Sequence, residues 1–444
     1  MARQMDMVHG PLLSKILMVA LPLAMTSILQ QLFNSADVAV VGRYVGPEAL
    51  AAVGSNGPII NIIINLFVGL SVGGNVVVAT LLGQRKTGEL EDAVHTVLTV
   101  AIASGFALVF FGFFLTRPIL VWISTPEDVL PLASLYLRIF FLGMPFSMFY
   151  NFGSAILRSK GDTKRPLFAL VVSGVVNVAL NLLLVVVFDM GVAGVAVATV
   201  AAQGVSASLV LFFLLGEDGA LRFSFRKLRI RRKYLLWMMR IGIPSGVQGM
   251  VFSFSNICIQ SSINTFGSFA MAGSAAALNY EYFTFFVTSA FSQTAVTFVS
   301  QNYGAHEFAR CRRVALLCVL GSFAITFSEA MVFSLFRHFF MSVYTNDPVA
   351  LDFAERRTMC VEFFEYMPGL YEVPAGCMRA LGVSIVPTVI ILVGSCFLRL
   401  VWIWFVVPSN HSWETLLYIY PITWVITIVL MGIAFAVFMR KRLR

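Results

Sequence analysis

Residues Arg158-x-x-Gly161-x-x-x-x-Pro166 recur as Arg379-x-x-Gly382-x-x-x-x-Pro387, 221 residues further along the chain. This repeat indicates how the chain is organised, because it belongs to an ordered series of matches. At offsets of 217 to 223 residues, the same order holds for Pro22 and Pro244, Asn34 and Asn256, Gln84 and Gln301, and Met144-Pro145 and Met367-Pro368. Chance accounts for one such match but not for the series. The sequence therefore predicts two homologous halves.

The composition places both halves in a membrane. Of the 444 residues, 59% are hydrophobic and only 12% are charged, whereas a soluble domain carries about 25% charged residues. Apolar windows of about 20 residues, enough to cross about 30 Å of hydrocarbon, begin near residues 16, 56, 94, 130, 167, 191, 237, 272, 314, 353, 387 and 416. We therefore predict an all-α integral membrane protein with twelve transmembrane helices, numbered here as spans 1 to 12.

The basic residues predict the orientation of these spans. Of the 31 Lys and Arg residues, 24 lie at the chain ends or in the loops that follow even-numbered spans. The opposite loops hold only Arg43, Arg117 and Arg337. Because basic loops stay on the cytoplasmic side, we expect a multi-pass protein of the plasma membrane with both termini in the cytoplasm.

The repeat divides the chain into three parts: an N-lobe over residues 1–215, a basic cytoplasmic linker over 216–236, and a C-lobe over 237–444. We interpret the linker as a solvated loop that sets topology, with contact to anionic lipid as the alternative. Six spans per half is an even number, so both halves enter the membrane in the same sense. They are then related by a pseudo-two-fold axis along the membrane normal and enclose a cleft, an architecture typical of transporters that work by alternating access.

Several other classes of protein are disfavoured. The net charge of +9 does not indicate nucleic-acid binding, since the basic residues lie between apolar spans. The sequence has no nucleotide-binding glycine loop, no HExxH and no GxSxG, and its five His residues are isolated. The six Cys residues form no CxxC pair and are interpreted as free thiols. We expect neither an enzyme nor a bound cofactor.

The stretch from Asp37 to Gly54, Asp-Val-Ala-Val-Val-Gly-Arg-Tyr-Val-Gly-Pro-Glu-Ala-Leu-Ala-Ala-Val-Gly, resembles the multidrug and toxic compound extrusion (MATE) transporters. Gly83-Gln84, Gln301-Asn302, the Arg-x-x-Gly loops and Asn177-x-x-x-Asn181 support the resemblance, which covers essentially the whole chain. It implies two six-helix bundles that expel organic, often cationic, compounds in exchange for H⁺ or Na⁺. It also implies an ion-coupling site in the N-lobe, at positions that match Asp37, Asn177, Asn181 and Thr199.

The residues themselves favour the same site. Asp37 is the only carboxylate within a predicted span of the first half, and a charge at membrane depth costs at least about 2.5 kcal/mol. Asp37 lies about 7 Å from the outer end of span 1, and Thr199 lies about 12 Å below the outer start of span 6. Asn177 and Asn181 share one face of span 5. All four side chains can therefore meet in one pocket.

The pocket allows two chemistries. Carboxylate, amide and hydroxyl oxygens could bind Na⁺, or Asp37 could take up a proton in its poorly solvated position and switch the packing of span 1. The sequence does not choose between them. In a purely structural alternative, these side chains only hydrogen-bond neighbouring helices.

Carboxylates of the second half lie elsewhere, at Glu281 in span 8, Glu329 in span 9, and Glu362, Glu365 and Glu372 in span 10. Because a carboxylate among aromatic rings attracts organic cations, we expect a substrate cavity lined by Asn34, Asn256, Tyr280, Glu281, Tyr282 and Phe286. The alternative for Glu281 is an ion pair or a protonated carboxyl. For Arg399 in span 11 we favour an ion pair with Glu362 or Glu365.

Pro22 and Pro244 each interrupt the first helix of a lobe, and a bend there would move Asp37 relative to spans 5 and 6; a static kink is the alternative. The predicted function is a secondary active multidrug antiporter that works as a monomer, with small organic substrates and the lipid bilayer as its partners. The alternative function is a flippase of lipids or polyisoprenoid-linked glycans, which would need several convergent basic residues for a pyrophosphate. The loop after span 2 lacks the basic Asp-Arg signature of the major facilitator fold.

Overall fold

The computed structural model describes residues 5–122 and 125–442, apart from the side chains of Pro47, Leu50, Ser55 and Pro58. Within this part the chain is helical and contains no β-strand. The first six spans are Leu12–Tyr44, Pro47–Gly83, Thr87–Trp122, Leu130–Leu142 followed by Met144–Ser159, Lys164–Asn181 extended by a π-helix over Leu182–Val187, and Gly191–Leu215. The linker contains two short 3₁₀ turns, Gly219–Leu221 and Phe225–Lys227.

The second half repeats the arrangement. Its spans are Arg232–Asn264, Ser268–Gly304, Phe308–Leu335, Pro348–Cys360 with the 3₁₀ turn Glu362–Phe364 and Gly369–Ala380, Ile385–Ile391 with its continuation to Val406, and Trp413–Leu417 with Ile419–Arg442. A short helix, Arg337–Ser342, follows span 9. Two π-helices, Leu392–Phe397 and Trp402–Val406, lie within span 11. The predicted all-α fold with two sets of six spans is confirmed.

Length and apolar composition qualify eight of the described helices to cross a membrane, and a ninth if the two helices of span 4, bent by 47°, count as one. Spans 7, 8 and 10 do not meet this test. Their interior faces carry polar side chains such as Gln248, Glu281 and Arg357, and span 10 is broken by its 3₁₀ turn. Polar groups that face the inside of a bundle lower the hydropathy of a span without exposing charge to lipid.

The chain divides into two compact units at boundaries that differ from the expected ones. The first unit contains Met25–Met239, and the second contains Asp6–Ala24 together with the chain from Arg240 onward. The beginning of span 1 therefore belongs to the second unit, and the linker with the beginning of span 7 belongs to the first. Hydropathy locates helices but not their packing partners, so the sequence could not show this exchange. The outermost residues of the two expected lobes, 1–4 and 443–444, lie outside the described part.

Ion pairs hold the linker within the first unit. Arg229 and Arg231 pair with Asp92, Lys227 pairs with Glu91, and Lys233 pairs with Glu89. All three carboxylates lie in the first two turns of span 3. The interpretation of the linker as a solvated basic loop was therefore incomplete, because acidic side chains of the protein neutralise much of its charge.

Matched glycines show that the duplication extends to the backbone. Gly46 and Gly267, each just before the second span of its half, have φ angles of 119° and 92°. Gly161 and Gly382, in the repeated Arg-x-x-Gly loops, have φ angles of 86° and 79°. Side-chain-bearing residues rarely adopt such positive φ values. The same turn therefore requires glycine at the corresponding place in both halves.

Large apolar side chains cover the outer faces of the helices. Phe110 on span 3 is 62% exposed, and Phe212 on span 6 and Phe405 on span 11 are also exposed. Water would oppose the exposure of so many aromatic side chains, whereas lipid tails would not. The outer surface thus fits a multi-pass membrane protein.

Candidate functional site

Asp37 lies in the C-terminal part of span 1, two turns before the helix ends at Tyr44. Its side chain is half-buried and faces spans 5 and 6. Asn181 on span 5 donates a hydrogen bond of 2.5 Å to Asp37 Oδ1, and Thr199 Oγ1 on span 6 lies 3.4 Å from Asp37 Oδ2. The structure thus brings the carboxylate together with an amide and a hydroxyl from two other helices.

A glycine on span 5 allows span 1 to approach this closely. A Cβ added at Gly174 would lie 1.9 Å from the ring of Phe33, so the ring occupies the space that any side chain at position 174 would need. Phe33 is one helical turn before Asp37, and Gly174 is about one turn before Asn177. The contact between Phe33 and Gly174 therefore sets the distance between Asp37 and the polar face of span 5.

Asn177 and Asn181 are both buried and one turn apart. The amide of Asn181 also donates to Asn177 Oδ1 at 3.3 Å, and the side chain of Asn177 lies within hydrogen-bonding range of the Asp37 carboxylate as well. The chain enters the π-helix Leu182–Val187 directly after Asn181. Such widened turns often lie at functional sites, and this one fixes the position at which the amide leaves the helix.

Two side-chain oxygens of the site, those of Thr199 and Asn181, have unused capacity to accept. The Thr199 hydroxyl lies 3.0 Å from the carbonyl of Val195 as well as 3.4 Å from Asp37, and one hydroxyl hydrogen can serve only one of them. Asn181 Oδ1 is buried and has no hydrogen-bond partner among the described residues. A proton on Asp37, or a small cation beside it, would supply the positive charge that this set of oxygens lacks.

Tyr136 is a neighbour of the site that sequence reasoning missed. It is buried on span 4, with its hydroxyl within electrostatic range of Asp37. A tyrosine in an apolar helix is usually a core residue, so its position in the sequence did not indicate a role at the site. Span 4 therefore adds a buried tyrosine to the surroundings of the site.

The remaining candidates in the first helices are not joined to this cluster by any hydrogen bond within the described part. The side chains of Asn34 and Asn256 are exposed. Pro22 and Pro244 lie inside helices that continue on both sides, Leu12–Tyr44 and Arg232–Asn264. Their proposed roles in a substrate cavity and in bending remain predictions.

Glu281 on span 8 is not free to receive a cation. Arg357 on span 10 donates to both of its carboxylate oxygens, at 2.7 and 2.8 Å, and a third nitrogen of Arg357 donates to Ser274 at 3.1 Å. Arg357 is 1% exposed and Glu281 is 6% exposed. The expectation of a cation-binding wall at Glu281 was wrong, because a buried guanidinium already neutralises the carboxylate, and the ion-pair alternative describes it correctly.

The aromatic neighbours of Glu281 differ in their surroundings. Tyr280 is buried, donates to the carbonyl of Phe340 at 2.9 Å and packs against that ring. Tyr282 and Phe286, which are half-buried, stack at 6.0 Å. Tyr280 is thus part of the packing of the second unit, whereas the stack of Tyr282 and Phe286 keeps accessible surface.

Arg399 does not form the expected ion pair. Within the described part, no ion pair joins it to Glu362 or Glu365. Its guanidinium lies 4.6 Å above the ring of Tyr420 and 5.6 Å from that of Phe252, and Nε lies 3.4 Å from Thr423 Oγ1. Aromatic rings therefore hold this buried cation, an arrangement that the spacing of charged residues could not reveal.

Two other carboxylates of the second unit, Glu362 and Glu372, accept hydrogen bonds from neutral side chains. Thr284 donates to Glu362 Oε1 at 2.8 Å, while Glu362 Oε2 is buried without a hydrogen-bond partner in the described part. Gln248 joins Glu372 to Arg379, with distances of 3.3 and 2.8 Å. All six cysteines are free thiols. Among the described residues, no group of three or more His, Cys, Asp or Glu side chains could hold a metal ion.

Comparison with known proteins gives matches to both halves. The sequence model of the MatE family matches residues 22–183 and 244–405, two segments of equal length that begin at Pro22 and Pro244. The "Probable multidrug resistance protein YoeA" of Bacillus subtilis is 28% identical over 83% of this chain and 81% of its own length. A protein of Shewanella oneidensis named "FAD transporter" is 25% identical over 72% of each chain.

A solved structure extends the similarity to the fold. The outward-facing conformation of a multidrug resistance MATE family transporter of the MOP superfamily covers all of this chain and 98% of its own, with a TM-score of 0.89 at 19% identity. At that level of identity, the likeness concerns the fold alone.

Proposed function

The chain belongs to the MatE family of membrane transporters, and from this premise we propose that it is a multidrug antiporter that exports organic compounds in exchange for H⁺ or Na⁺. The arrangement around Asp37 carries the proposal. Asp37 forms no ion pair within the described part, and only the neutral Asn181 amide and Thr199 hydroxyl donate to it there. A carboxylate in an outer helix turn that lacks a basic partner is suited to exchange its counter-charge with the medium.

The mechanism follows from the neutralisation of that charge. When a proton or Na⁺ reaches Asp37, the carboxylate loses its unpaired charge and span 1 can pack more closely on spans 5 and 6. When the ion leaves toward the cytoplasm, the unpaired carboxylate favours a more hydrated arrangement. Each ion would therefore bias span 1 between two packings, which is what alternating access requires.

The substrates are proposed to be amphipathic organic compounds, often cationic. Relatives named multidrug resistance proteins support the breadth of this class. The half-buried stack of Tyr282 and Phe286 offers an apolar, aromatic contact of the kind that such compounds favour. The relative named "FAD transporter" is the reason to include an anionic flavin among the compounds tested.

We further propose that the protein works as a monomer in the plasma membrane with both termini in the cytoplasm. The distribution of basic residues supports this orientation. The pairing of the linker with Glu89, Glu91 and Asp92 places that set of charges at one end of span 3, as expected for a cytoplasmic face.

The flippase alternative is less well supported. A pyrophosphate carrier needs several free guanidinium or ammonium groups that converge. In the described part of the second unit, Arg357 is paired with Glu281, Arg379 donates to Gln248, and Arg399 lies between aromatic rings. These contacts leave little basic surface for a diphosphate.

The test is a transport assay in inside-out vesicles. Uptake of a cationic dye into the vesicles, which reports export, should follow an imposed H⁺ gradient or an imposed Na⁺ gradient, and the Asp37→Asn protein should lose at least about 90% of gradient-driven uptake while remaining in the membrane. Gradient-driven uptake at the wild-type rate in Asp37→Asn would overturn the coupling assignment.

Asp189→Asn is the matched control. Asp189 is an exposed carboxylate of the same unit in the loop after span 5, and its φ of 51° is one that Asn tolerates well. This variant removes the same charge away from the site, so it should transport like the wild type. A loss of transport in both variants would indicate a general charge effect and not a coupling site.

A further inference from the structure

Two arginines line a cavity at the outer end of the first unit. Arg117 lies near the end of span 3, Arg138 lies on the first helix of span 4, and both side chains are exposed. They surround a cavity of about 620 Å³ together with Glu127 from the loop between the two spans. The volume falls within the range of ordinary small-molecule sites.

Both arginines lie within helices and not in the loop that joins spans 3 and 4. Arg138 is eight residues past the start of its helix at Leu130, about 12 Å along the axis, and Arg117 is five residues before the end of span 3, about 7 Å. Within the described part neither guanidinium forms an ion pair with a carboxylate. An exposed, unpaired guanidinium near the hydrocarbon region is unfavourable unless an anion accompanies it.

The side chains around the two arginines change along the helix from interfacial to apolar, as expected for a surface that faces lipid. Trp122, 85% exposed, ends span 3 at the level where tryptophan marks the membrane interface. Arg117 follows below it, and the guanidinium of Arg138 lies 5.4 Å from the ring of Phe113. Further down the helix, Phe110 and Phe114 are exposed. Basic groups near the interface above aromatic groups match a headgroup above its acyl chains.

The charges of the cavity match those of one class of headgroup. Two guanidinium groups suit a phosphodiester, since arginine binds phosphate oxygens with paired N–H donors. The carboxylate of Glu127, in the same cavity, suits an ammonium group. A purely anionic headgroup would leave Glu127 without a partner and would place two negative charges in one cavity.

We propose that this cavity binds the headgroup of phosphatidylethanolamine, with Arg117 and Arg138 donating to the phosphodiester and Glu127 accepting from the primary amine. The lipid neutralises two arginines that the protein leaves unpaired, and it braces the outer ends of spans 3 and 4. This is a lipid site on the outside of the unit, separate from the Asp37 cluster, and it goes beyond the proposed transport function.

Binding can be measured by native mass spectrometry of the full-length protein in detergent. The purified chain would be titrated separately with palmitoyl-oleoyl phosphatidylethanolamine, the corresponding phosphatidylglycerol and inorganic phosphate. We expect one tightly retained phosphatidylethanolamine. Phosphatidylglycerol should bind about threefold more weakly, because it lacks the amine that Glu127 accepts. Inorganic phosphate should not displace the lipid at equal concentration.

Variants locate the lipid on the protein. Arg138→Gln and, separately, Arg117→Gln should weaken phosphatidylethanolamine binding at least about tenfold, because each removes charged hydrogen bonds to the phosphate. Glu127→Gln should strengthen binding of phosphatidylglycerol, because it removes a negative charge from the cavity, and should abolish the preference for the amine lipid. Arg43→Gln is the matched control, since Arg43 is another exposed arginine of the same unit, in the last turn of span 1, but does not line the cavity.

Three results would overturn the proposal. The first is wild-type lipid binding in both arginine variants, each checked for folding by its melting temperature. The second is an equal loss of binding in Arg43→Gln. The third is displacement of the lipid by inorganic phosphate, which would show a site for free anions and not for a headgroup.

Discussion

Asp37 in the first unit and Glu281 in the second are both carboxylates on helices of a duplicated scaffold, yet their charges are treated in opposite ways. Glu281 is buried and receives two hydrogen bonds from Arg357. Asp37 is half-buried and receives hydrogen bonds only from neutral groups among the described residues, the Asn181 amide and the Thr199 hydroxyl. In the second unit, a side chain of the protein itself, Arg357, neutralises Glu281. In the first unit, no basic side chain of the described part pairs with Asp37, so its counter-charge has to come from outside the protein.

This difference indicates which of the two carboxylates can exchange its counter-charge. A buried pair held by two hydrogen bonds loses much of its stability when one member is removed, so it cannot open during a transport cycle without large cost. A carboxylate with neutral neighbours can gain and lose a proton or a cation at moderate cost. If Asp37 binds the coupling ion as proposed, the protein has one permanent and one exchangeable charge, and the following predictions test that contrast.

The largest effect is expected when the permanent pair is broken. Arg357→Met should destabilise the protein by about 3 to 5 kcal/mol, because it leaves the buried charge of Glu281 without a partner. Thermal unfolding in detergent measures the loss. The double variant Arg357→Met with Glu281→Gln should recover most of it. Arg356→Gln, one residue away and exposed, should cost less than about 1 kcal/mol.

A smaller effect should appear at the exchangeable site. Saturation with the coupling ion, at 100 times its dissociation constant, should stabilise the wild type by about 2.7 kcal/mol. Melting temperatures recorded with added Na⁺ at constant pH, and with added protons at constant ionic strength, identify the ion. Asp37→Asn should show neither increase, while Asp189→Asn should show the same increase as the wild type. Equal stabilisation of Asp37→Asn would remove the distinction between the two carboxylates.

The next largest effect is expected at the contact between Phe33 and Gly174, which positions Asp37. Gly174→Ala places a Cβ against the ring of Phe33 and should cost about 2 kcal/mol of stability together with most of the transport activity. Phe33→Leu in the same chain should restore part of both. Gly204→Ala is the control, since the nearest atoms to its Cβ lie 4.0 Å away in Phe146. If Gly174→Ala transports normally, the helix spacing does not set the site.

The smallest effect is expected at Thr199. Its hydroxyl lies 3.4 Å from Asp37, so Thr199→Val should lower the affinity for the coupling ion by about three- to tenfold, roughly 1 kcal/mol, with little change in the maximal rate. Measuring the transport rate against ion concentration separates the two quantities. A complete loss of transport would show that the hydroxyl has a stronger role than its distance indicates.

The sequence predicted the first-unit site better than the second-unit charges, for a physical reason. Asp37, Asn181 and Thr199 lie on continuous helices, so counting residues from the helix ends gave usable depths. Span 10 begins at Pro348 and is interrupted after Cys360, so Arg357 lies in the last turn before a break within the span. Counting from a hydropathy window therefore missed the partner of Glu281.

Contacts between distant segments were also beyond the sequence argument. The acidic residues Glu89, Glu91 and Asp92 and the basic linker were both visible, and their opposite charges were a signal that could have predicted their pairing. The rings around Arg399 gave no such signal, because aromatic residues are common throughout the chain. Composition and repeats established the fold, whereas tertiary partners required the structure.

The placement of the beginning of span 1 has a consequence for biosynthesis. Asp6–Ala24 belongs to the second unit, where Asn302 and Arg310 donate to the carbonyl of Met7 at 3.2 and 3.3 Å. The ribosome makes these two partners about 300 residues later, roughly 15 to 60 s after the segment itself at about 5 to 20 residues per second. During that interval the segment lacks these partners, so the growing chain depends on the insertion machinery or on lipid to shelter it until the second half is made.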